Sequence, residues 1–235
     1  MQSVYKFPLA MTVLDRVDKG MFSLTHAVHI SKTDLLPDTW SPLRDAYPSG
    51  NIDLPLDSLL KYTVSLSDNN GCDILFRFLG CTGAVDNYVH RFGIMDISIV
   101  ATEEEMHQKW ETQYRNWCTP LAMARLLQLF QNGKILSKEH RDYLWQIMVG
   151  TTTAAGRIRG RLPSDAVVAH KSGSSGRNAN GIAAAANDVG IVRFPNGRRV
   201  ALVVFVSESD ASDTENDTVI AAVARAIWDA YAHGR

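Results

Sequence analysis

Residues 1–10 read MQSVYKFPLA, which sets a serine and a lysine, Ser3 and Lys6, at the head of an apolar run. Residues three apart in a helix share a face. A hydroxyl at a helix start gains from the helix dipole, and a lysine pressed into a dry site can lose its proton and act as a base. Taken alone, the pair fits an ordinary amphipathic helix start as well as it fits a nucleophile beside its base. The rest of the chain decides between the two.

The chain has 235 residues, 46% of them hydrophobic, which is enough for a full core in one large domain or two small ones. Its 24 basic residues nearly cancel its 25 acidic ones, so no long-range field draws in nucleic acid or an anionic membrane. Cys72, Cys81 and Cys118 are too few for a disulfide scaffold and lack metal-ligand spacing, so they are expected as small buried apolar residues. His90, His140 and His170 lie outside any HxH or HxxxH pattern, so neither a metal nor a cofactor is expected. No apolar run is long enough to cross a membrane, and no signal-peptide pattern precedes Ser3.

Working outward, FPLAMTVLDRVDKG has helical spacing with Gly20 just past its end, which predicts a first helix over residues 3–19. Residues 30–53, rich in Pro, Asp and Ser, read as a surface loop. LPLDSLLKYTVSLSDNNGCDILFRFLG then gives two helices broken by SDNN, and a polar break between apolar helices is where sites are built. A helix over residues 85–92 follows, then a long polar loop over residues 101–118. Thr119-Pro120 caps a helix ending at Asn132-Gly133, and another covers residues 137–149. Downstream, AVVAHKSG, GIAAAANDVGIVRF and RRVALVVFVSES read as three neighbouring antiparallel strands, the last two joined by a PNG turn. TVIAAVARAIWDAYA closes the chain as a helix over that sheet. The plan is α+β: one domain over residues 1–235, helical to about residue 150, with the sheet and closing helix over about 165–235. Three strands are a small, exposed-edge sheet for so much helix, which extra strands from an earlier segment would complete.

Two more short patterns fall where chemistry could use them. Ser67-Asp68-Asn69 sits at the polar break, and Lys171-Ser172-Gly173 ends a strand. SxxK, SDN and KTG, in that order, are the signature of class A β-lactamases and penicillin-binding proteins, and here Ser172 replaces Thr with its hydroxyl kept. Three ordered matches, each in its expected setting, outweigh any one alone.

The chain therefore resembles a class A serine β-lactamase. YKFPLA, SLSDNNGCD, TEEEMH and AHKSGS look most like the PER, VEB and CfxA branch. The resemblance implies acylation of Ser3 by a β-lactam carbonyl with Lys6 as base, then hydrolysis of the ester by water. It implies a deacylating base at Glu103, with Glu104 and Glu105 as rivals in the same run, and puts His107 where the family holds that water. The oxyanion hole would be the N–H groups of Ser3 and Ser174. Ser67 would protonate the leaving nitrogen with help from Lys171, and Asn69 would orient the acyl side chain. The substrate carboxylate would meet Ser67, Lys171, Ser172, Gly173, Ser174 and a bidentate Arg157, with Arg159 and Arg161 as alternatives. A monomer is implied, working in the periplasm as a full-length parent, with a small-molecule β-lactam as its only partner. A slow penicillin-binding DD-peptidase and an inactive fragment of a lactamase remain the rival readings.

Two residues depart from the family's usual pattern. Asp73 stands where an asparagine usually braces the glutamate loop, and Glu104 stands where proline usually follows the base. A carboxylate accepts hydrogen bonds without donating, and a non-proline cis bond costs about 3 kcal/mol. The expectation is a trans Glu103–Glu104 bond, an altered loop and a pocket widened toward bulky cephalosporins. The resemblance also implies a first helix and two β-strands ahead of the nucleophile, missing here, so this chain is further expected to be less stable and less active than its parent.

Overall fold

The computed structural model describes residues 1–232, so residues 233–235 of the expected sheet-and-helix part lie outside it. A 3-10 turn, Gln2–Tyr5, feeds directly into α1 (Lys6–Asp18). Every residue of α1 from Lys6 to Asp15 is buried, because the helix is flanked on several sides by later ones. A helix apolar nearly all round belongs at the centre of a bundle. Its N-terminal end, with Ser3 and Lys6, is thereby held at a fixed point in the core.

The expected loop over residues 30–53 holds more structure than its composition suggests. Strand β1 (Ala27–Ile30), the short helix α2 (Pro42–Ala46) and β2 (Ile52–Pro55) follow, with β1 and β2 antiparallel and Ile30 opposite Ile52. Four-residue strands are too brief for a period-two signal. Helices α3 (Leu56–Ser65) and α4 (Asn69–Leu79) flank the SDN corner as expected, and α5 spans Gly83–His90. Asp68 holds this corner together. Its fully buried carboxylate accepts from Gly71 N at 2.7 Å, Leu43 N at 2.6 Å and Ser41 Oγ at 3.0 Å. Burial raises the Asp68 carboxyl, and those donors pull it back. Asp68→Ala strands all three donors, so denaturant unfolding should show a loss of about 3 kcal/mol or more.

The long polar loop is also partly ordered. A two-residue bridge, β3 (Ile97–Ser98) to β4 (Trp117–Cys118), closes its base, and between them lie α6 (Glu103–Gln108) and a 3-10 turn, Trp110–Arg115. Asn116 cross-links the neck: its Oδ1 accepts from Val100 N and Ala101 N, and its Nδ2 donates to Ala101 O. Helices α7 (Pro120–Gln131) and α8 (Lys138–Val149) come next, capped by Thr119 and Ser137.

Strands β5 (Val167–Ser174), β6 (Ala183–Arg193) and β7 (Arg199–Ser209) form an antiparallel sheet in the order β5-β6-β7. Helix α9 (Asp213–Ala232) covers one face through a small core in which Phe194 stacks on Trp228. The helical body meets the other face, α8 against β5 and α7 against β7. Cys72 is buried as expected, but Cys118 is half-buried and Cys81 is exposed on the turn before α5. Among the described residues no helix is long and apolar enough to cross a membrane.

Candidate active site

The three motifs converge. Lys6 Nζ, with no solvent exposure, donates to Ser67 O at 2.9 Å and Asn69 Oδ1 at 2.5 Å, and forms an ion pair with Glu103 Oε1 at 2.9 Å. All three of its protons are thus engaged. Ser3 Oγ donates to the same Glu103 oxygen at 3.3 Å. Lys171 Nζ, also fully buried, donates to Ser67 Oγ at 2.8 Å and to Ser172 O at 2.9 Å. Ser67 therefore sits between two lysines, its carbonyl facing one and its hydroxyl the other, on a backbone with φ of 58°. Burial first, and the Lys6 charge second, push the Lys171 ammonium down to about 7.

Gly173 explains how the strand and the nucleophile turn meet. A Cβ there would lie 2.9 Å from Met1 O and 3.0 Å from Ser3 N, so any side chain would lever β5 away from the turn. The turn itself is tied down by Met1 N donating to Asn116 O, by Asn187 Nδ2 donating to Met1 O, and by Gln2 Nε2 donating to Gln113 Oε1 at 2.6 Å. Gln2 needs that hold because its φ of 53° is unfavourable for a residue with a side chain.

Among the three glutamates the geometry separates the roles. Glu105 turns back to its own helix start, accepting from Thr102 N at 2.9 Å in a capping box with Thr102. Glu104 is exposed. Glu103, its side chain 11% exposed, alone of the three reaches Ser3 and Lys6.

Asp73 braces the loop after all, by accepting. Its Oδ1 takes Glu103 N at 2.8 Å and its Oδ2 takes Glu104 N at 2.9 Å, and no described peptide bond is cis. Burial and the Glu103 charge push the Asp73 carboxyl up to about 7. Its folded value lies above its unfolded one, so its contribution to stability is complete below about pH 4 and is lost as pH rises through 7. Asparagine at this position offers one acceptor oxygen and turns its amide against the other N–H. Asp73→Asn is expected to cost about 1–3 kcal/mol at pH 5 and less at pH 8, where the wild-type carboxylate repels Glu103. Urea unfolding at the two pH values measures the difference.

Some expected roles meet a different geometry. Arg157 is buried and its fork is occupied: Nε binds Asp217 at 2.7 Å, Nη1 binds the carbonyls of Gly173 and Asn187, and Nη2 binds Ser174 Oγ at 2.8 Å. In this arrangement the fork is committed to protein partners rather than free for the expected bidentate grip, and Arg157, at the cleft wall, holds Ser174. Asn69 is also engaged on both arms, by Lys6 and by Thr39 Oγ1. Ser172 Oγ meets Thr153 Oγ1 at 3.0 Å, Arg159 donates to Val149 O, and His107 is exposed beside Glu103.

Two adjoining clefts share Asn69 and Ser174. One of about 320 Å³ is lined by Ser3, Trp40, Ser67, Arg157 and Ser172, the other of about 310 Å³ by Thr39, Glu103, His107 and Gly176. A third space of about 200 Å³ opens behind Asn69 and Glu103, toward Leu36 and Asp38. Trp40 and Thr39 escaped the sequence reading. Trp40 is 61% exposed, anchored by Nε1 to Leu66 O, and an aromatic stranded in a polar loop was the available signal.

A hydroxyl, two buried lysines and a carboxylate around one open cleft define an active-serine acyl-transferring enzyme. Comparison with known proteins narrows this. The model of the beta-lactamase enzyme family matches residues 1–231. Beta-lactamase VEB-1 of Pseudomonas aeruginosa is 47% identical over 233 residues, 98% of this chain and 77% of that protein. The extended-spectrum beta-lactamase PER-1 of the same organism is 41% identical over 97% of this chain and 74% of its own. The crystal structure of TLA-1 extended-spectrum beta-lactamase superposes with a TM-score of 0.97 at 51% identity, covering 99% of this chain and 84% of that one. The chain belongs to the beta-lactamase enzyme family, as a class A serine enzyme of the PER/VEB branch.

Proposed function

We propose that this protein opens the amide of penicillins and cephalosporins through an ester on Ser3 and then hydrolyses that ester, conferring β-lactam resistance. One observation carries the reading: Ser3 Oγ and Lys6 Nζ both point at Glu103 Oε1, so one carboxylate oxygen serves nucleophile and lysine together. Ser3 attacks the lactam carbonyl as its proton passes to Glu103. Lys6 holds that carboxylate through the 2.9 Å ion pair and is the alternative base for the same proton. The N–H groups of Ser3 and Ser174 take the oxyanion. As the C–N bond breaks, the nitrogen receives the Ser67 hydroxyl proton, which the Lys171 ammonium replaces across 2.8 Å. The proton on Glu103 is then relayed back to the Lys171 amine, so that both groups regain their starting charge; Glu103 takes a proton from water as the hydroxide attacks the ester, and returns it to Ser3 Oγ as the ester C–O bond breaks.

Lys171 and the hydroxyls of Ser67, Ser172 and Ser174 meet the substrate carboxylate, with Gly173 leaving the strand close enough to do so. Asn69 and His107 border the acyl side chain, and the space behind Asn69 and Glu103 gives room for bulky cephalosporin groups. A monomer acting in the periplasm is part of this proposal, tested by gel filtration and cell fractionation. The activity is tested with a chromogenic cephalosporin against an acyl-D-Ala-D-Ala peptide. Rapid turnover of the first without D-alanine release from the second is expected; the opposite pattern would favour a DD-peptidase.

A further inference from the structure

The loop over residues 36–40 borders all three spaces around the site. Leu36, Pro37, Asp38 and Thr39 line the one behind Asn69 and Glu103, Thr39 lines the second cleft, and Trp40 stands at the first. Its two ends are pinned to the SDN corner. Asn70 Oδ1 accepts from Leu36 N at 3.2 Å, Asn69 N donates to Trp40 O at 3.0 Å, and Trp40 Nε1 donates to Leu66 O at 2.9 Å. Between those ends Pro37 has no N–H to give, and among the described residues the backbone hydrogen bonds of residues 37–39 all go to one side chain.

That side chain is Arg44 of α2. Its Nη1 donates to Leu36 O at 3.0 Å, to Thr39 O at 2.8 Å and to Pro37 O. Carbonyl dipoles that converge on one point repel each other unless a cation sits among them, and this guanidinium, 22% exposed, is that cation. The base of Arg44 is held as firmly as its tip. Arg44 N donates to Ser41 Oγ at 3.1 Å, and the same hydroxyl donates to the buried Asp68 at 3.0 Å. On the cleft side, the gathered loop presents Thr39 Oγ1 to Asn69 Nδ2 at 2.8 Å, and Asn69 Oδ1 meets Lys6 Nζ at 2.5 Å. Direct contacts thus run without a gap from Arg44 through the loop and Asn69 to the lysine beside the nucleophile.

We infer that Arg44 is a positioning residue for the wall that receives the acyl side chain: by collecting the carbonyls of Leu36, Pro37 and Thr39 it sets Thr39 against Asn69 and Trp40 at the cleft. Asp45 takes Nε at 3.1 Å and Nη2 at 2.9 Å, is itself 66% exposed, and makes no hydrogen bond to the loop. The inference rests on the acyl-side-chain role proposed for Asn69, but its first readout needs no substrate.

The test uses enzyme labelled with 5-fluorotryptophan, the Trp40 fluorine signal being assigned by Trp40→Phe. KM and kcat are measured beside it for two cephalosporins, one with a bulky acyl group and one with a small one. Arg44→Ala frees the three carbonyls to water, so the Trp40 signal is expected to shift and broaden. KM for the bulky substrate should rise about tenfold with kcat within about twofold, because the wall is displaced while Glu103 is not. The small substrate, which does not reach the wall, should show a KM rise of about twofold or less. Arg44→Lys should recover most of the loss, since Nη1 alone meets the carbonyls and an ammonium has a proton for each of them. Asp45→Ala should leave both readouts near wild type. If Arg44→Ala does not fold, Arg44→Gln, which keeps one amide nitrogen, takes its place with a smaller shift of the same sign. A lower melting temperature in Arg44→Ala with the Trp40 signal and both KM values unmoved would overturn the inference, and so would an equal KM rise for the two substrates. A Trp40 signal displaced as expected in an enzyme that hydrolyses no β-lactam would instead count against the proposed function.

Discussion

Ser3→Ala lowers β-lactam turnover by about four orders of magnitude or more, because it removes the only atom on which the ester can form. The fold should not suffer with it. Ser3 Oγ makes a single long hydrogen bond, to Glu103, while the turn is held by Met1, Gln2 and their partners Asn116, Asn187 and Gln113. Initial rates and a thermal melt on the same sample read both effects. Lys6→Ala should cost nearly as much alone, and the double variant little more than either, since residues acting as one unit are not additive. A variant of Ser3 that keeps even a tenth of the wild-type rate would remove the nucleophile from this account.

Glu103→Gln should separate the two half-reactions. The amide keeps the size of the side chain but cannot take a proton from water, so deacylation is expected to slow by about 10²–10⁴-fold. Acylation should be less affected, because Lys6, which meets the same Glu103 oxygen as Ser3, can take over as its base. The progress curve should then show a burst of one product per enzyme followed by a stall. Steady turnover at the wild-type rate would assign the base elsewhere.

Much of this architecture was legible before any coordinates. The long helices announced themselves through periodicity and caps: Thr119 accepts from the backbone N–H three residues on, as its place before Pro120 implied, and Ser137, read as the first residue of its helix, proves to be its cap in the same way. The sheet was readable because β6 and β7 are long and joined at a PNG turn. The β1–β2 and β3–β4 pairs were not, since strands of four and two residues carry almost no pattern and depend on what they are packed against.

At the candidate site, which residues would come together was easier to read than what each would bind. Ser3, Lys6, Ser67 and Lys171 could be picked by motif, and Glu103 by its place in a resembling loop. That Glu105 would be consumed as a cap, and Arg157 by Asp217 and two carbonyls, depends on distances that only the fold creates. Asp73 shows the same limit. Its inability to donate led to an altered loop being expected, yet the loop presents it with two N–H donors, and its two oxygens accept from both.

The central claim is that Ser3 carries the covalent intermediate and Glu103 releases it. The most direct test is peptide mapping of the Glu103→Gln enzyme, quenched in acid after mixing with a cephalosporin. The account predicts one acyl group per chain, on the peptide that holds Ser3 and Lys6. An adduct on the peptide of Ser67, or full turnover with no adduct at all, would contradict it.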